Sequence, residues 1–163
     1  MKTVLIPTDF SAKSLQLIKN AVLHNPNEPI QLVLASGYLL RLSAFNPLRY
    51  SKARLIKTLA HEVFNNTLSD LILEHKNKIY NVKIELYTGS SNHEFNDFLR
   101  VNNIDKSIIP NTKLCQFPNK KCFDITPLID HLSPEVSRVA YKGEKRDKPT
   151  RFWFLTLKQF SFR

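Results

Sequence analysis

Short apolar runs alternate with amphipathic stretches along most of this chain, and that alternation limits its fold more than any other feature. Thr3-Val4-Leu5-Ile6, stopped by Pro7, has the continuous apolar character of a strand buried on both faces of a parallel sheet. Asp9-Phe10-Ser11 then supplies helix-start chemistry, and Leu15, Ile18, Ala21 and Val22 recur at helical spacing until Asn25-Pro26. Ile30 to Leu34 reads as a second strand, with Gly37 marking the turn beyond it. A single long helix is predicted from Ser51 to Lys78, its stripe made by Leu55, Leu59, Val63, Leu68, Leu71 and Ile72. Tyr80 to Thr88 alternates as a half-buried strand and stops at Gly89. Ser91 and Glu94 have the spacing of a capping box for a helix carrying Phe95, Phe98 and Leu99. Ser107 to Ile109 gives a short strand, Thr126-Pro127 a helix start, and Val136 to Tyr141 a last strand. Parallel neighbours need crossovers, so this order predicts an α/β domain with helices on both faces of a parallel sheet.

At 163 residues the chain suits one domain, and 42% hydrophobic with 23% charged residues is the balance of a folded protein. No run of about 18 apolar residues occurs, and the opening apolar stretch is too short for a secretory leader, so a cytoplasmic location is expected. Cys115 and Cys122 lack the companion ligands of a tetrahedral metal set and read as reduced thiols, with a redox-sensing disulfide as the alternative. The histidines are scattered at spacings that make no helical metal motif, so no metal site is expected.

Val4-Leu5-Ile6-Pro7-Thr8-Asp9-Phe10-Ser11, Gly89 before the helix that follows it, and Asn103-Ile104-Asp105-Lys106-Ser107-Ile108-Ile109 together resemble the universal stress protein family. The resemblance spans residues 2 to 141 in element order and is strong in residue identity over the first dozen. It implies a Rossmann-like open parallel sheet of five strands in the order 3-2-1-4-5, dimerisation through the fifth strand, and an ATP site in some members. It places Pro7, Thr8 and Asp9 at the strand-order reversal, where ligands of such sheets sit. Thr8 and Asp9 serve equally well as helix-start residues, so both roles stay open.

The departure from the family lies after the fourth strand. ATP-binding members carry G-x-x-G-x9-G-[S/T] there, because main-chain amides must approach the phosphates with no Cβ in the way. This chain has no glycine between Gly89 and Gly143, and Pro110 and Pro118 remove two amide donors from the segment. ATP binding in the family manner is therefore not expected, and no cofactor is assigned. Lys113, Lys120 and Lys121 keep an alternative alive, in which Pro7, Thr8, Asp9 and Lys113 hold ATP or AMP as a degenerate nucleotide site or slow hydrolase.

The net charge of +10 is uneven: Lys142 to Arg163 hold seven basic against two acidic residues, half the total. Residues 142–163 are read as a basic, aromatic extension of a 1–141 domain, and its run Arg151 to Arg163 has strand-forming character. An uncovered apolar strand promotes aggregation, so Val136, Val139, Tyr141, Phe152, Trp153 and Phe154 are the expected interface, with a dimer mate or another protein partner. Contact with nucleic acid or a membrane surface is the competing use of the extension. No local pattern of paired carboxylates, Ser-His-Asp or Cys-His appears. The leading expectation is a noncatalytic regulatory or interaction module.

Overall fold

The computed structural model describes residues 1–40 and 50–140. Tyr141, Phe152, Trp153, Phe154 and the whole 142–163 extension lie outside the described residues.

Five parallel strands build the sheet: β1 (Lys2–Pro7), β2 (Ile30–Tyr38), β3 (Ile79–Tyr87), β4 (Lys106–Pro110) and β6 (Val136–Val139). Their order is β3-β2-β1-β4-β6, the one expected, with the reversal between β1 and β4. A sixth strand was not anticipated. β5 (Cys122–Phe123) pairs antiparallel with the end of β2, Gly37 against Phe123 and Tyr38 against Cys122.

β1 and β2 are buried at nearly every position, on both faces of the sheet, around the apolar runs 4–7 and 32–35. Val4, Ile6, Leu32, Leu34 and Ile108 face one core with α1 (Gln16–Leu23), α2 (Lys52–Leu59) and α3 (Glu62–Glu74). Leu5, Val33, Ala35 and Ile109 face the other with α4 (Asn92–Val101) and α5 (Thr126–Leu132). Period-two alternation in the strands thus feeds two separate cores. The α4 capping box forms as its spacing predicts: Glu94 N donates to Ser91 Oγ at 3.2 Å and Ser91 N to Glu94 Oε2 at 2.9 Å.

The single helix expected over Ser51 to Lys78 is two helices. At Ala60 the backbone leaves the helical region (ψ 89°) and His61 is extended, while Asn65 Nδ2 donates to Ala60 O at 2.8 Å to steady the break. The cause is in the apolar spacing. Leu59 and Phe64 are both buried, yet they stand five apart, which an unbroken helix would place on different faces. The break corrects the phase, and Val63, assigned to the stripe, is left exposed.

Candidate functional site

β1 ends in Pro7, which is buried, and the chain turns into the loop that carries Thr8 and Asp9. Thr8 N continues the sheet by donating to Ala35 O at 2.8 Å, and its Oγ1 takes Phe10 N at 3.0 Å and meets Ser14 Oγ at 2.8 Å. Phe10 adopts φ 61°, a left-handed conformation uncommon for an aromatic residue. Its ring lies 5.6 Å from that of Phe64, which anchors it in the core. These contacts delay the helix: α1 begins at Gln16, not directly after Asp9 as the sequence suggests.

Asp9 is 1% exposed and both of its oxygens are used. Oδ1 accepts Ser11 N at 3.1 Å and Ser11 Oγ at 2.5 Å. Oδ2 accepts Gln116 N at 3.1 Å, from a residue 107 positions away. Gln116 belongs to the segment after β4, so Asp9 ties that segment to the mouth of the sheet. Leu114 N donates to Asp124 Oδ2 at 3.3 Å while Asp124 Oδ1 takes Thr126 N at 2.9 Å, closing residues 114–124 into a loop. The chain then lies along β2, with Leu39 N donating to Lys121 O at 2.8 Å.

Residues 111–125 therefore cross the carboxyl ends of β1 and β2, the position a ligand takes in an open α/β sheet. Apolar burial holds them there. Leu114 enters the core on the α1 side, and Phe117 packs against it. Phe123 packs in the opposite core and lies against Gly37, where a Cβ would run into its ring. Gly37 thus marks no turn: β2 continues through it to Tyr38, and its missing side chain is the space Phe123 fills. The structure thus brings Pro7, Thr8 and Asp9 together, whereas Lys113 is exposed on the covering segment.

No family model matches this sequence, and no curated protein does. Solved structures do. Hypothetical protein MJ0577, the subject of a structure-based assignment of function, is 19% identical over 88% of this chain and 98% of its own, with TM-score 0.52. A universal stress protein in complex with cAMP is 15% identical over 86% of this chain and 98% of its own, with TM-score 0.47. A universal stress protein family member from Burkholderia pseudomallei is 10% identical over 85% and 95%, with TM-score 0.49. This chain shares the open parallel α/β fold of MJ0577.

Within that fold, both cysteines belong to the covering segment. No disulfide joins Cys115, which is exposed, to Cys122, which is buried in β5. Burial pushes the Cys122 thiol above its ordinary value. The same desolvation, with Cys122 and Tyr50 nearby, raises Tyr38. Among the described residues no group of three His, Cys, Asp or Glu side chains has metal-binding geometry, and no helix is long and apolar enough to cross a membrane.

One charged cluster that sequence reasoning missed sits on β3. Glu85 is buried, which by itself pushes its carboxyl up. Hydrogen bonds and charge from Lys52 and Lys83 outweigh that and hold it below the usual glutamate value. Alternation along Tyr80 to Thr88 puts Lys83 and Glu85 on the face opposite Val82, Ile84 and Leu86. The signal that would have found the cluster is a lone acid surrounded by lysines, but its partner on α2 lies 33 residues upstream.

Proposed function

We propose that this chain is a noncatalytic regulatory or interaction module of the universal stress type that does not hold ATP in the family manner. The observation carrying this reading is that Asp9 spends its carboxylate on the chain's own main chain, accepting from Ser11 and from Gln116 of the covering segment. A nucleotide entering beside Asp9 must break those bonds and lift Leu114, Phe117 and Phe123 out of apolar contact, and the glycine-free segment offers few amides in return. Calorimetric titration of the whole chain with ATP, ADP and AMP is expected to give no heat of binding, and none of the three should raise the melting temperature. Saturable binding of any of them would reverse the assignment in favour of the degenerate nucleotide site.

The interaction role falls to the β6 edge of the sheet. Among the described residues β6 pairs with β4 alone, with Glu135 O and Val139 O turned toward β4, so alternation turns the main-chain groups of Arg138 outward. Val136 is half-buried there, and Val139 secures the strand to the core. We assign this edge to a homodimer. Sedimentation velocity is expected to give a dimer for the native chain and a monomer for Arg138→Pro, which removes an outward donor without touching the β4 ladder. A native chain already monomeric at all concentrations refutes the assignment.

A further inference from the structure

Among the described residues β3 forms the other edge of the sheet, paired with β2 alone, and at nine residues it is a far longer edge than β6. A long uncovered edge is a template for strand addition, and identical edges pair readily about a two-fold axis. What stands on this edge is unusual. Val82, Ile84 and Leu86 face the core under α1, α2 and α3, so Lys83, Glu85 and Tyr87 face the α4 layer. Glu85 stands opposite Ala35, and both Ala35 and Tyr87 belong to that second core.

The Glu85 carboxylate is 6% exposed and takes Lys83 Nζ at 2.7 Å and also Lys52 Nζ. Lys52 comes from α2, whose Leu55, Ile56 and Leu59 pack into the core on the opposite face of the sheet. To reach Glu85 its side chain has to pass round the outside of β3, from one helix layer to the other. Lys83 Nζ also donates to Asn102 Oδ1 at 3.0 Å, fastening the same strand to the end of α4. A buried carboxylate with paired lysines is weak ground for stability, since an apolar residue of similar volume often serves as well. Its value lies in where it puts two ammonium groups.

We propose that Lys52, bound across the open edge of β3 to the buried Glu85 with Lys83, is a guard that prevents a second copy of this chain from adding its β3 strand there. An incoming strand has to displace the Lys52 stem from the edge and leave Glu85 short of one partner, so the ordinary route to edge-to-edge association is closed. The apolar residues beside the edge, Phe98 in the groove and Val101 at 72% exposure, make the guard necessary.

Lys52→Ala tests this cleanly, because the position is half-exposed on α2 and Glu85 keeps Lys83. The variant is expected to retain the native fold by circular dichroism and to associate with rising concentration, at least doubling the mean mass in sedimentation velocity relative to the native chain. Amide hydrogen exchange across residues 80–86 should slow as the larger species forms. Lys52→Arg, which keeps charge and reach, should behave as native, and so should Lys19→Ala, which removes an exposed pair with Glu74 elsewhere. Native-like mass for Lys52→Ala throughout the range refutes the guard, as does association that leaves residues 80–86 unprotected. Should Lys52→Ala prove unfolded, Lys52→Gln, with its shorter uncharged stem, is read by the same two measurements.

Discussion

Asp9→Ala is expected to lower the unfolding free energy by about 3 kcal/mol, because it strips the acceptor from three donors at once, Ser11 N, Ser11 Oγ and Gln116 N. Each hydrogen bond to a charged group contributes about 1.5–3 kcal/mol, and Ser11, partly exposed, recovers some of its loss by bonding water. Gln116 N has less recourse, since the Leu114 and Phe117 side chains on either side of it hold the segment against the core. At this chain length about 3 kcal/mol lowers the melting temperature by roughly 6–12 °C. The same variant should show faster amide exchange across residues 113–118, the stretch that loses the bond from Gln116 N to the β1 loop. Asp9→Asn, keeping the acceptor Oδ1 but not the charge, should lie between the two. A melting temperature unchanged within a degree would mean that the carboxylate is held ready for a ligand rather than spent on the fold, and would favour the nucleotide reading.

The fold was legible where side-chain pattern and backbone partner coincide. The runs 4–7 of β1 and 32–35 of β2 are apolar because both faces are covered, and Ser91-x-x-Glu94 caps α4 because the capping box is wholly local. The break at Ala60 was hidden because Val63 and Phe64 both fit an apolar stripe, and it is Phe64 that joins the core, against Phe10 among others. The mouth was legible in half. The opening motif located Thr8 and Asp9, and the lack of glycine after β4 showed what the following segment does not do. What it does instead rests on contacts distant in sequence: Gln116 to Asp9, Phe123 to Gly37, Lys121 to Leu39. Two residues of strand are too short to carry a periodicity, so β5 left no pattern, and Gly37 was read as a turn when its role is to be small. The β3 cluster escaped for the same reason, since Lys52 and Glu85 meet only after α2 and β3 are placed on the sheet.

That account of Gly37 predicts its own double-mutant cycle. The glycine has no positive φ, so alanine costs it nothing in backbone conformation, and any penalty comes from the Phe123 ring lying where the Cβ must go. Overpacking of this kind costs about 1–3 kcal/mol, and the rigid strand beneath Gly37, paired on one side with β3 and on the other with β1 at its earlier residues, leaves the ring as the part that yields. Gly37→Ala is therefore expected to lose about 2–3 kcal/mol and to release β5, seen as faster amide exchange at Lys121 to Phe123 with the exchange of β1 unchanged. Phe123→Ala alone should cost about 2 kcal/mol, less than a fully buried phenylalanine, because the ring is only half-buried. The two changes act on one contact, so the double variant should be scarcely less stable than Phe123→Ala, a coupling of about 2 kcal/mol measured by urea unfolding. Simple additivity would show that Phe123 does not rest on Gly37, and β5 would then be held to β2 by its main-chain pairing and by the bond from Leu39 N to Lys121 O.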